Sequence, residues 1–214
     1  ALPWVKSQKD KIQWGQLTGS ALSIAIAEGV KQQNDLVLIV TPDTPSALRL
    51  ETELEYLLPD NPVMVFPDWE TLPYDHFSPH QDIISARLAT LNTLKNEQQS
   101  VLIVPVSTLM LRTAPASFIY GSTLNFKVGD KLDTHNLRSN LEQAGYLNVQ
   151  QVMEHGEYAI RGSIVDLYPM GSVHPFRLDF FDDELDSIRL FDVETQRSDE
   201  KVDKIELLPA HEFP

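Results

Sequence analysis

The chain has 214 residues, 42% hydrophobic and 22% charged, with no cysteine and a formal net charge of −14 at pH 7. Those figures suit a soluble chain with one large core or two smaller ones, and they exclude disulfides, thiolate metal sites and cysteine nucleophiles. Residues 1–122 hold 8 basic and 13 acidic side chains and residues 123–214 hold 9 and 18, with no basic cluster of the kind that neutralises a phosphate backbone, so a protein partner is favoured over duplex DNA. The longest apolar run, Leu36 to Val40, is strand-sized, far short of a membrane span. Residues 1–11 lack the apolar core of an export signal, and the expected location is the cytoplasm.

The first feature in chain order is Gln16-Leu17-Thr18-Gly19-Ser20-Ala21-Leu22-Ser23, ahead of the helix-like Ile24 to Ala27. Set against the phosphate loop G-x-x-x-x-G-K-[ST], Gln16 replaces the first glycine, Ala21 the second and Leu22 the lysine, and only the Ser23 hydroxyl remains. Leucine cannot neutralise a γ-phosphate, and losing a glycine removes backbone freedom where phosphate must come close. Thr18, Gly19 and Ser20 also read as an ordinary helix N-cap. Both readings stand on these residues alone.

Leu36–Thr41, Val63–Phe66 and Val101–Val106 are short continuous apolar runs, expected as strands buried on both faces. Between them, Ser46–Leu58 puts Leu50, Leu54, Leu57 and Leu58 on one helical face. A second helix is expected to start from a capping box at Ser78-Pro79-His80-Gln81 and to carry Ile84, Leu88 and Leu91 toward a core. Strands alternating with helices predict a parallel sheet of P-loop NTPase type over residues 1–122.

After Gly121 the pattern changes. Asp133 or Thr134 caps a short helix with Leu137, Leu141 and Ala144 on one side, and Gly145 ends it. Tyr158–Tyr168, Phe176–Phe181, Ser187–Phe191 and Lys201–Leu207 read as strands, with Asp182-Asp183-Glu184 at a hairpin turn. Residues 123–208 thus form an antiparallel-rich α+β domain. Residues 209–214 read as leading away toward domains absent from this chain.

Three long stretches carry a specific resemblance: Asp68 to Asp82, Gln151 to Gly171, and Arg177 to Glu184 with Phe191-Asp192. Over essentially the whole chain they resemble the N-terminal region of bacterial transcription–repair coupling factors and, more distantly, the excision-repair protein UvrB. The resemblance implies a degenerate RecA-like domain that holds no nucleotide or other cofactor, followed by a domain like the part of UvrB that docks on UvrA. It implies no enzyme in this fragment, whereas full-length members are ATP-dependent DNA translocases that bind RNA polymerase and DNA through other domains. It also implies that a distant domain, absent here, masks the UvrA surface. UvrB's damage-probing hairpin has no room here, because Tyr74-Asp75 reaches the expected cap at Ser78 within a few residues. Two alternatives from other classes remain: a nucleotide-dependent UvrB-like helicase half, opposed by Leu22, and a direct DNA-damage binder, opposed by the charge.

The expected contact residues are Arg161, Arg177 and Phe181. In a strand, alternate residues share a face, so Arg177, Asp179 and Phe181 point one way and Phe176, Leu178 and Phe180 point into a core. Arginine beside an exposed aromatic suits an interface anchor, and an Arg–Asp cross-strand pair with a partly covered phenylalanine fits equally well. The resemblance favours the interface, because these positions match the family's UvrA-binding residues. His76 and His80 with Asp75 and Asp82 are not read as a metal site, since a cap at Ser78 leaves His76 off the helix. The run Asp182 to Glu184 lacks the spacing of a calcium loop, and Glu154, His155 and Glu157 lack a nucleophile. No catalytic or metal site is expected.

Overall fold

A computed structural model of the protein describes residues 11–33, 35–71, 79–96 and 99–213. In chain order the elements are α1 (Ala21–Val30), β1 (Val37–Thr41), α2 (Thr44–Leu57), β2 (Val63–Val65), α3 (Gln81–Asn96), β3 (Val101–Pro105), α4 (Val106–Leu109) and α5 (Ala116–Gly121). There follow β4 (Leu124–Lys127), α6 (Thr134–Gln143), β5 (Leu147–Asn148), β6 (Glu157–Arg161), β7 (Ile164–Leu167), β8 (Phe176–Phe181), β9 (Glu184–Phe191), β10 (Ser198–Val202) and β11 (Lys204–Leu207). This is a mixed α/β chain with parallel and antiparallel sheets.

The chain divides into two compact units, Ala1–Asp68 with Thr93–Arg112, and Trp69–Asn92 with Thr113–Pro214. The boundary expected between residues 122 and 123 assigns α3 and α5 to the first unit. Their apolar faces decide otherwise: Ile84, Leu88 and Leu91 of α3 and Ile119 of α5 belong to the core of the second unit. Residues 209–213 do not lead away either. Ala210 and Glu212 are buried, and the Ala210 N–H donates to the Ala144 carbonyl at 2.7 Å.

In the first unit three parallel strands lie in the order β1-β3-β2. The central strand β3 is buried along its length, as its continuous apolar run predicts. The same expectation fails for β1, where Leu38 and Val40 are about half exposed, because this edge strand has only one face covered among the described residues. That face, through Val37 and Ile39, packs with Val101 and Ile103 against Ile26 and Val30 of α1 and Ala47, Leu50 and Leu54 of α2. Asp43 starts α2 as its N-cap, accepting from the Ser46 N–H at 2.8 Å, a bond that satisfies one of the orphan donors of a first turn.

In the second unit six strands run β10-β9-β8-β7-β6-β5, antiparallel except for the parallel pair β5–β6. Leu137 and Leu141 of α6 cover one face with Val165, Leu167, Leu178, Phe180 and Ile188. The stretch 158–168, expected as one strand, is the hairpin β6–β7, turned at Gly162 with φ +63. The stretch 201–207 likewise splits, β10 pairing with β9 and β11 with β4. Asp182, at φ +54, makes the expected turn between β8 and β9. At Gly145, φ is +88, a left-handed conformation that favours glycine, and a Cβ there would push the His211 ring aside.

Candidate functional site

Gln16 to Ser23, which the sequence sets against a phosphate loop, run into the first turn of α1. Ser20 is its N-cap but makes no side-chain cap bond, so the capping that Ser20 could supply is not used. Gln16 and Gly19 both adopt positive φ, +62 and +56. Gly19, Leu22 and Ser23 line a cavity of about 380 Å³, with Thr41, Ser46 and Arg49 opposite. Ser23 is buried and donates its hydroxyl to the Glu53 carboxylate. That hydroxyl is therefore committed to a carboxylate.

The second site lies on the face of the six-stranded sheet opposite the α6 core. Strand pairing sets it: Asp166 on β7 stands across from Ala159 on β6 and Arg177 on β8, and Arg177 in turn stands across from Arg189 on β9. Alternation along β8 runs as the sequence predicts, with Leu178 and Phe180 buried and Phe181 75% exposed. A bulge on β9 lets Asp179 face Ser187 and Phe180 face Leu185, which keeps Phe180 and Leu185 together in the core despite the extra residue.

Asp166 organises this face and was not anticipated from sequence. Its side chain has 0% exposure. Arg177 donates Nε to Oδ1 at 2.7 Å and Nη2 to Oδ2 at 2.9 Å, while Arg161 Nη2 also donates to Oδ2. Arg177 is the more enclosed arginine, its side chain 16% exposed against 48% for Arg161. It further donates Nη1 to the Gln196 carbonyl and to Ser198 Oγ, both at 3.2 Å, and lies 5.1 Å from the Phe191 ring centroid. Donation to Asp166, ahead of the cost of burial, moves the Arg177 pKa further up. A satellite core of Val152, Ala159 and Phe191 supports the same face. Farther along, Ser187 Oγ donates to Asp179 Oδ2 at 3.1 Å.

The structure shows a cross-strand arginine–aspartate pair, with Asp166 as the carboxylate. Arg177 forms the cross-strand pair, whereas Arg161 is half-exposed and Phe181 points outward at the end of β8. The signal for Asp166 was present: a lone carboxylate in Ile164-Val165-Asp166-Leu167 is out of place in a buried strand unless paired. Reading 158–168 as one strand hid the pairing.

The remaining candidates hold structure. Asp75, His76 and Ser78 lie outside the described residues. His80 Nδ1 accepts from the Asp82 N–H at 3.3 Å. His155 bridges the Asp82 carboxylate and the Ser172 carbonyl, each at 2.8 Å, and Glu157 accepts from the N–H groups of Met153 and Glu154. Asp182 and Asp183 form an exposed turn, and Glu184, also exposed, opens β9. Among the described residues no group of three or more potential ligands is arranged for a metal ion, and no helix is long and apolar enough to cross a membrane.

Residues 124–213 match the UvrB interaction domain family. The chain is 56% identical over 200 residues, 94% of its length, to the transcription-repair-coupling factor of Escherichia coli K12, and 53% identical over 200 residues to that of Haemophilus influenzae. The Bacillus subtilis protein of the same name is 31% identical over 197 residues. The chain spans 17% of the length of each of these relatives. It belongs to the transcription-repair-coupling-factor family, with the UvrB interaction domain at residues 124–213.

Proposed function

We propose that this chain is a non-catalytic adaptor that recruits UvrA to RNA polymerase stalled at a DNA lesion, so that excision repair begins. The observation that carries the reading is the outward face of the UvrB interaction domain, where half-exposed Arg161 and exposed Phe181 share a face with the Asp166–Arg177 pair. An aromatic and an arginine presented from a rigid sheet, with their supports already satisfied, have the composition of interface anchors. The first unit serves as a RecA-like scaffold whose nucleotide function is lost, a reading supported by Leu22 and by Glu53 on the Ser23 hydroxyl. In the whole protein, which works in the cytoplasm, other domains bind polymerase, translocate on DNA with ATP and mask the UvrA surface until it is needed.

Titration of UvrA into the parent chain, Phe181→Ala and Arg161→Ala tests this. The parent should bind, and each substitution should weaken binding by about tenfold or more. No binding by the folded parent, or parent-like binding by both variants, defeats the reading. Gel shifts with damaged duplex provide the contrast: tight lesion-dependent binding at physiological salt would favour a direct sensor, which a net charge of −14 opposes.

A further inference from the structure

We infer that Asp166 is a positioning residue of the recruiting face: its buried carboxylate fixes the guanidinium of Arg161 in the orientation offered to the partner. The inference rests on the UvrA reading above and adds a residue that touches no partner. A carboxylate has two oxygens, and here both are used. Arg177 takes one of them and shares the other with Arg161.

The two arginines have unequal roles. A guanidinium carries five N–H donors in a rigid fork. Arg177 directs its donors inward, to Asp166, the Gln196 carbonyl and Ser198, and stacks on Phe191, so little of it is left for a partner. Arg161 sits one residue from the β6–β7 turn and makes one hydrogen bond among the described residues, through Nη2. Strand pairing and alternation put Arg161 and Phe181 on the same face of the sheet as Asp166, and both are solvent-accessible. The partner surface this fits carries carboxylates for Arg161 and an apolar recess for the phenylalanine ring.

An arginine held before binding loses less rotamer freedom when the complex forms. Without Asp166, Arg161 would stay charged but would sample many orientations, and Arg177 would lose its bidentate partner. Phe181 is outside this network. The inference therefore separates two classes of substitution on one face: those that remove a contact and those that only loosen one.

The experiment measures UvrA affinity and melting temperature for the parent, Asp166→Asn, Arg161→Ala, their double variant and Phe181→Ala. It also measures, by NMR on the parent chain, the rotation of the Arg161 guanidinium. Asp166→Asn should bind UvrA about tenfold more weakly, the cost of re-ordering freed arginines. In the Arg161→Ala background the same substitution should cost little more, because the residue through which it acts is gone. Parent-like affinity of a folded Asp166→Asn overturns the inference, and so does an equal loss in both backgrounds, the result of general loosening. Guanidinium rotation decides independently of UvrA and of whether Asp166→Asn folds: slowed rotation at Arg161 supports the inference, and free rotation overturns it. If the parent fails to bind UvrA while Arg161 is held, the recruiting reading falls and the positioning stands.

Discussion

Arg87 of α3 holds Glu212, 125 residues later in the chain, through Nε to Oε2 at 2.6 Å and Nη2 to Oε1 at 2.9 Å, with both side chains fully buried. The guanidinium also lies 4.2 Å from the centroid of the Trp69 ring, and Trp69 stacks on Phe213. Residues 69, 87, 212 and 213 therefore form one knot in the second unit, with half-buried Trp69 and exposed Phe213 over a buried ionic centre that must be kept paired because neither charge can reach water.

Breaking that pair from one side should be costly. Arg87→Ala strands the Glu212 carboxylate in the core and should lose about 3–5 kcal/mol, Glu212→Ala removes the bidentate acceptor of a buried guanidinium and should also destabilise, and replacing both by apolar residues of similar volume should cost far less. Denaturant unfolding of the two single variants and of Arg87→Met with Glu212→Leu gives the comparison. Single variants as stable as the parent would mean the pair is solvated in solution.

Neighbouring phenylalanines should part company. Phe180 is 6% exposed and Phe181 75%, so Phe180→Ala should destabilise the second unit by about 3–5 kcal/mol and Phe181→Ala by no more than about 0.5 kcal/mol. Thermal melts of the two variants side by side settle the register of β8. Equal losses would place both rings in the core.

Asp43 gives the first unit a pH-dependent component. Its carboxyl is held below the usual 3.8, chiefly because the Ser46 side chain and then the Ser46 N–H donate to it. A depressed folded pKa adds stability that is present above the unfolded value and is lost as pH falls through the folded value, below 3.8. Asp43→Asn keeps an acceptor at the N-cap but cannot titrate. Its melting temperature should fall less steeply than the parent's between about pH 5 and pH 2. Identical acid limbs would show that the cap adds nothing through its charge.

What the sequence made legible was local. Run length and flanking turns located β1, β2 and β3, the 3.6 period located α2 and α6, and alternation placed Leu178 and Phe180 inside with Phe181 outside. What it hid was set by partners distant in the chain. α3 looks like one more helix of the first unit until Leu88 is seen among residues such as Leu141 and Leu207. Glu212 looks like a polar tail residue until Arg87 is placed beside it. Asp166 has the same character, since its two arginines come from the strands on either side and neither pairing is written in the spacing of β7 itself.

Nucleotide should not bind. The cavity beside Gly19 and Ser23 has Leu22 where a phosphate loop has lysine, its lining cation Arg49 comes from α2 instead, and Glu53 takes the Ser23 hydroxyl. Calorimetric titration with magnesium and ATP is expected to give no heat of binding and no turnover. Micromolar affinity would restore the helicase-half reading, and Glu53→Gln would then show whether the carboxylate opposes the phosphate.

The two arginines on Asp166 should differ in stability even where they resemble each other in binding. The sequence leads to the expectation that alanine at either position spares the fold, since both lie on the outward face. Burial separates them. Arg161→Ala removes a half-exposed side chain and leaves Asp166 its bidentate partner, so the loss should be about 1 kcal/mol or less, as for exposed pairs. Arg177→Ala removes two of the three bonds to a carboxylate with no exposure and uncovers the Phe191 ring, which should cost about 3 kcal/mol, the lower end for a broken buried pair. Arg177→Lys restores charge without the fork and should recover only part of that. Urea unfolding of the three variants gives the order parent, Arg161→Ala, Arg177→Lys, Arg177→Ala from most to least stable. If Arg161→Ala and Arg177→Ala unfold together near the parent, Asp166 is hydrated in solution and both arginines are free to act as contacts.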